Sequence, residues 1–360
     1  MAKAPENLIR PDIAKLSAYH VPDASGMIKL DAMENPFQWP DDIKTEWLKT
    51  VSQAELNRYP DPQAKKLTQA IRTEFGIPDS LAVMLGNGSD EIIQILIQAI
   101  AKPDATVLSV SPGFVMYEFI SLFSRVNYVA VPLTDSFELD MPALIKQIEE
   151  HQPALIFIAY PNNPTGNLFS RQDIEKILNM ASGLVVIDEA YTAFASDSFL
   201  NDLATKQDKY PNLLVMRTVS KMGLAGLRLG YIAGAPGWIN EFDKVRLPYN
   251  INVLTQLTAE FALQHKAMLD EQSEIIRAQR EVMYTALKEI DQIRVYPSEA
   301  NFILFRCPQG AGTQVFESLK QQGILIKNQS AVPGLGDCLR VTVGSAEDNR
   351  AFLDALVAIL

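Results

Sequence analysis

The chain has 360 residues, 48% of them hydrophobic and 21% charged, and a formal net charge of −11. This length and apolar content supply a large core and more than one domain, and they exclude a disordered chain. The acidic balance argues against general affinity for nucleic acid, and any site for an anionic substrate must be positive against that field.

Two cysteines, Cys307 and Cys338, and three histidines, His20, His151 and His265, form no CxxC or HExxH spacing. No zinc site is expected, and the thiols suit a reducing compartment. Residues 1–12, MAKAPENLIRPD, lack the apolar segment of a signal peptide. No run approaches the ~20 apolar residues of a membrane span. A cytoplasmic protein is expected.

Residues 1–40 are rich in Pro, Asp and Asn and read as an arm rather than a domain. From about residue 60 helix and strand signals alternate. Residues 64–75, AKKLTQAIRTEF, have helical apolar spacing and stop at Gly76. Gly86-Asn87-Gly88-Ser89 marks another helix start, with Ser89-Asp90-Glu91 as an N-cap signature before an apolar run that ends near Pro103. Glycines let backbone approach a ligand, and helix N-terminal amides attract phosphate. Asp90 and Glu91 would repel a phosphate through their side chains. The contact is therefore expected from backbone N–H groups and the Ser89 hydroxyl, with the acids turned away or complementing the helix dipole.

The apolar runs at 106–110, 128–131, 154–158 and 184–187 predict strands buried on both faces. Helical patterns at 141–150 and 170–182 make the sheet mainly parallel with crossover helices. Chemistry gathers at the carboxyl ends of such strands. Tyr117, in SPGFVMYEF, offers a ring to stack on a planar cofactor, and Phe114 competes for the role. Asn163, in Asn163-Pro164-Thr165-Gly166, follows a strand as a tight turn with a side-chain amide to offer. Asp188 closes the 184–187 strand, where a dry carboxylate is costly unless it meets a cation. Tyr191 offers a phenol three residues on.

A further strand-like run, Leu213–Arg217, delivers Ser220-Lys221 to a turn, and Arg228 follows seven positions after the lysine. A lysine for an aldehyde, with a hydroxyl and an arginine for a phosphate, suits pyridoxal 5'-phosphate (PLP). Asp188 would then face the protonated pyridine nitrogen. Residues 257–290 read as one long helix and 291–360 as a smaller α+β unit. Arg340, inside an apolar strand, needs an anionic partner, either a ligand or one of the chain's many acids.

The ordered set NPTG, DEAY, SK…R and LRVTVG resembles the fold type I PLP-dependent aminotransferases over nearly the whole chain. ENP at 34–36, NRYPDP at 57–62, GNGSDE at 86–91, PNNPTG at 161–166, VIDEAY at 186–191 and SKMGLAGLRLGY at 220–231 resemble the histidinol-phosphate aminotransferases in particular. That resemblance implies an α/β fold: a large domain with a mainly parallel seven-stranded sheet between helices, plus a smaller α+β domain. Its implied boundaries are an arm with part of the small domain at 1–45, the PLP-binding domain at 46–265 and the small domain at 266–360.

The implied chemistry is transamination of L-histidinol phosphate with 2-oxoglutarate, giving imidazole acetol phosphate and L-glutamate in histidine biosynthesis. The resemblance makes Lys221 the residue that bonds the cofactor and moves the proton. It pairs Asp188 with the ring nitrogen, sets Tyr191 and Asn163 on the ring oxygen, and stacks Tyr117 on the ring. Ser89, Ser220, Arg228 and the amides around Asp90 and Glu91 would hold the cofactor phosphate. Tyr59 would reach the neighbouring subunit's cofactor, which implies a homodimer with shared active sites. Arg340 would bind the substrate phosphate or the glutamate carboxylate, and Tyr19 and Asn35 would line the substrate pocket. Two features depart from many relatives. Lys327 stands where they carry an arginine, keeping the charge and losing the bidentate fork. The Lys221-to-Arg228 interval is one residue shorter. An aromatic amino-acid aminotransferase and a PLP-dependent O-phosphothreonine decarboxylase share the cofactor residues and stay open as alternatives.

Overall fold

The computed structural model describes residues 4–18 and 21–360. Its strands, in chain order, are β1 (Ile28–Lys29), β2 (Ala82–Gly86), β3 (Thr106–Ser111), β4 (Asn127–Pro132), β5 (Leu155–Ala159), β6 (Leu184–Asp188) and β7 (Leu213–Thr218). They continue with β8 (Gly230–Gly234), β9 (Arg294–Val295), β10 (Phe302–Arg306), β11 (Ile324–Leu325), β12 (Lys327–Asn328) and β13 (Cys338–Thr342). The helices are α1 (Pro11–Ala14), α2 (Asp41–Val51), α3 (Lys65–Phe75), α4 (Ser89–Ile100), α5 (Met116–Phe123), α6 (Met141–His151) and α7 (Arg171–Met180). After them come α8 (Leu200–Thr205), α9 (Pro236–Asp243), α10 (Val253–Gln264), α11 (Lys266–Lys288), α12 (Gly312–Gln321) and α13 (Ala346–Ile359).

Seven strands form one sheet in the order β2-β8-β7-β6-β5-β3-β4. The pairs from β7 to β4 are parallel, and β8 runs against both of its neighbours. Strand alternation divides each central strand between two cores. In β5, Ile156 and Ile158 face one helix layer while Leu155 and Phe157 face the other; in β6, Val185 and Ile187 oppose Leu184 and Val186 in the same way. Helices α3, α6, α7, α8 and α10 cover the first face, and α4, α5 and α9 cover the second. Coverage on both faces explains why these strands are continuously apolar. The run at 128–131 differs. It lies in β4 at the sheet edge, where Val131 is its one buried residue, so it is not the doubly buried strand expected.

A second, antiparallel sheet has the order β12-β13-β10-β9 and packs against α11, α12 and α13. The N-terminal segment joins this unit, because β1 pairs in parallel with β11 and Leu30 and Met33 enter its core. The single helix expected at 257–290 is two. His265 leaves helical geometry at φ −106°, ψ 26° between α10 and α11. Helix α10 is buried mainly against the large sheet's helices, whereas α11 crosses to the second core with Ile276, Met283 and Leu287. The chain turns where the two cores meet. Among the described residues no helix is long and apolar enough to cross a membrane.

Candidate active site

The carboxyl ends of β5, β6 and β7, the start of α4 and the turn after β7 line a cleft of about 120 Å³. Ser89, Asp90, Asn163, Asp188, Tyr191, Ser220, Lys221 and Arg228 all line it.

Lys221 sits in a 3₁₀ turn immediately after β7, and its Nζ donates to the Ala32 carbonyl at 3.1 Å. Burial pushes its proton affinity down to about 8, and the cations Arg340 and Arg228 push the same way, against Glu34 and Asp90. The turn depends on Gly223 at φ +113°, where an added Cβ would lie 3.0 Å from Asn35 Nδ2.

Asp188 ends β6 inside the cleft wall. Its Oδ2 accepts from the Tyr117 hydroxyl at 2.6 Å and its Oδ1 from the Ala190 N–H at 3.1 Å. Burial raises the carboxyl to about 6, and the Tyr117 hydrogen bond opposes that rise. Among the described residues no cation stands within ion-pair distance of Asp188. A buried carboxylate of this kind calls for a positive partner from a ligand.

On the other side, Arg340 Nη1 donates to Asn163 Oδ1 at 2.6 Å, and Asn163 Nδ2 donates to the Tyr191 hydroxyl oxygen at 3.1 Å. Arg340 Nη2 also donates to the Asp31 carbonyl at 2.9 Å, and its guanidinium stands over the Phe302 ring at 5.3 Å. Burial raises the Tyr191 pKa, so the phenol stays protonated and can donate. This chain of groups spans the two sheets, from the end of β5 to β13.

The phosphate-like end is built at α4. The N-cap is Gly88, at φ +83°, rather than Ser89, which stands in the first helical turn. The first-turn amides of α4 have no intrahelical partner. An added Cβ on Gly88 would come within 2.8 Å of Arg228 Nη2, so glycine lets that guanidinium close over the helix start. Arg228 adopts φ +48° and pairs with Asp90 at 3.3 Å. Thr218 also lines this end, with its hydroxyl 2.9 Å from Ser220 Oγ. Its position two residues before Ser220 is the signal that the sequence reading passed over.

Several expectations change. Tyr117 does not line the cleft: its ring is fully buried, stacked on Phe157 at 4.6 Å, with its hydroxyl committed to Asp188. Phe114, in the loop before α5, lines the cleft instead. Glu91 turns away, accepting from the Asn87 N–H and from Asn250 Nδ2, so only its backbone is free to serve the site. Asn35 does not line the cleft either; its side chain binds Gln272 at 3.0 Å and the Phe37 N–H at 2.8 Å. Lys327 lies directly across from Arg340 in the β12–β13 pair, which puts both cations on one face of that sheet. Tyr59 is 81% exposed, stacks on Tyr249 and stands outside the cleft of its own chain. Tyr19 lies outside the described residues.

The residues present fit PLP. An amine of lowered proton affinity, an uncompensated carboxylate, a protonated phenol beside an amide, and a helix start with an arginine and hydroxyls complement its aldehyde, ring nitrogen, ring oxygen and phosphate.

The family model for class I and II aminotransferases matches residues 25–356. The chain is similar to the histidinol-phosphate aminotransferase 2 of Nitrosococcus oceani, at 51% identity over 97% of this chain and 96% of that protein. It is also similar to the histidinol-phosphate aminotransferase of Chromobacterium violaceum, at 50% identity over 98% and 97% of the two chains. In fold it matches the crystal structure of the histidinol-phosphate aminotransferase of Sinorhizobium meliloti in complex with pyridoxal-5'-phosphate. That match has a TM-score of 0.85 at 22% identity and covers 98% of this chain and 97% of that one.

Proposed function

The chain belongs to the class I and II aminotransferases, a PLP-dependent family, and from that premise we propose that it exchanges the amino group of L-histidinol phosphate with 2-oxoglutarate. The observation that carries this reading is Lys221. It is buried with a proton affinity near 8, on a cleft where, among the described residues, no cation stands within ion-pair distance of Asp188. The relatives at about 50% identity over nearly the full chain point to the substrate. The work belongs to the cytoplasm, in histidine biosynthesis.

PLP, when bound, supplies an electron sink that stabilises a carbanion at the substrate's amine-bearing carbon. The protein supplies the rest. Asp188 keeps a positive charge on the ring nitrogen through a buried ion pair. Asn163 and Tyr191 give hydrogen-bond donors at the ring oxygen, and Phe114 holds the ring face. Ser89, Ser220, Arg228 and the first amides of α4 take the phosphate. Lys221 Nζ would remove the proton from the amine-bearing carbon and hold it for return. A lysine near 8 is neutral often enough at physiological pH to act as that base. Arg340 and Lys327 face the phosphate of one substrate and the carboxylate of the other, since both cations suit either anion. Tyr59 completes the site of a second copy in a homodimer, which accounts for an aromatic side chain left 81% exposed.

The test is the visible absorbance of the protein loaded with PLP, before and after L-histidinol phosphate without an oxo acid. Loss of the bound-cofactor band with L-histidinol phosphate, and its return with 2-oxoglutarate, is the expected result. Loss with phenylalanine as well means a broad aromatic pocket. Carbon dioxide released from O-phosphothreonine, with L-histidinol phosphate inert, replaces the reading with decarboxylation.

A further inference from the structure

We infer that Tyr117 is a positioning residue for Asp188, fixing the carboxylate's aim and holding it in the ionised form that a protonated ring nitrogen requires. This rests on the cofactor reading above, in which Asp188 meets that nitrogen. The Tyr117 hydroxyl donates to Asp188 Oδ2 at 2.6 Å between two buried side chains. The Tyr117 ring is set from two sides, parallel to Phe157 at 4.6 Å and edge-on to Phe114 at 5.5 Å. Its carbonyl accepts from Ser121 Oγ at 2.7 Å. Phe114 is itself a cleft residue, so one aromatic column joins the cleft wall to the hydroxyl behind Asp188.

A donor to the charged form of a carboxyl favours that form. The other groups facing Asp188 oppose it: Asp90 from α4 and Glu189 next in sequence both disfavour a second negative charge, and burial does the same. Tyr191 faces Asp188 from beyond β6 and Tyr128 of β4 faces Tyr117, both with raised proton affinity and so neutral. The Tyr117 hydroxyl and the Ala190 N–H both favour the carboxylate. Tyr117 thus acts on the cofactor through Asp188 without touching it.

Tyr117→Phe removes one oxygen and keeps both ring contacts. With the PLP-loaded enzyme and L-glutamate as amino donor, the acid limb of the half-reaction's pH profile moves up by about one to two pH units. The PLP dissociation constant at neutral pH rises by about tenfold. Site-specific 3-fluorotyrosine at position 117 keeps the shape and donates more strongly, so its acid limb moves down. Opposite shifts of the two variants support the inference. An unmoved limb, shifts in the same direction, or a lower rate with no change of limb or PLP affinity overturns it. Wild-type protein with no bound-cofactor absorbance overturns the cofactor reading itself, and this inference with it.

Discussion

In the proposed reaction Lys221 meets an aldehyde as a much weaker base than an ordinary lysine. Its proton affinity drops from 10.5 to about 8, chiefly through burial. At 1.36 kcal/mol per unit, that gap corresponds to roughly 3 kcal/mol. At pH 7 roughly one Lys221 in ten is then neutral, against about three in ten thousand ordinary lysines, a ratio of about 300. The assay is capture of PLP by cofactor-free protein, trapped with borohydride and mapped by peptide, with pH varied from 6 to 10.5 and N-acetyl-lysine amide as reference. The rate of capture at Lys221 climbs about tenfold per pH unit below its midpoint near pH 8 and levels off above it, while the reference goes on climbing toward pH 10. Arg340→Met removes a cation that lowers this value and moves the midpoint up, while Glu34→Gln removes an anion that raises it and moves the midpoint down. A rate at Lys221 that climbs tenfold per pH unit up to pH 10, or both variants moving the midpoint the same way, would refute the reasoning.

Three further outcomes follow from the structure. Arg217→Met strands Glu189, which is fully buried and 2.7 Å from the Arg217 guanidinium, and costs about 3–5 kcal/mol in urea unfolding of the cofactor-free protein; a loss under about 1 kcal/mol contradicts that account. Gly223→Ala forces a side chain into φ +113° and against Asn35, costing about 1–3 kcal/mol by thermal unfolding and slowing PLP capture at Lys221; full stability with normal capture contradicts the tight turn. Mixing inactive Lys221→Ala with inactive Tyr59→Ala restores about a quarter of wild-type turnover, because half of randomly paired dimers carry one complete site in two; no recovery after confirmed subunit exchange argues against shared sites.

The sequence by itself determined the element types and most of the residues at the cleft. Lys221, Asp188 and Asn163 each follow a continuous apolar run, and such a run between helical patterns can only be a strand covered on both faces, with its carboxyl end open. Arg340 was legible for a related reason, as a cation among Leu339, Val341 and Val343. Local pattern carries that information because burial of a strand is periodic and a charge breaking it is costly.

The tertiary structure decided which way side chains face and where elements reverse. Phe114 and Tyr117 stand three residues apart with no difference in local pattern. Packing of the α5 segment against β5 buries Tyr117 on Phe157 and leaves Phe114 on the cleft. Asn35 and Glu91 are polar residues in motif positions, yet Gln272 and Asn250, 237 and 159 residues away, claim their side chains. The break at His265 has no Gly or Pro to announce it, since it comes from two cores pulling one helical pattern in different directions. Contacts between residues far apart in the chain set these choices, and no local propensity encodes them.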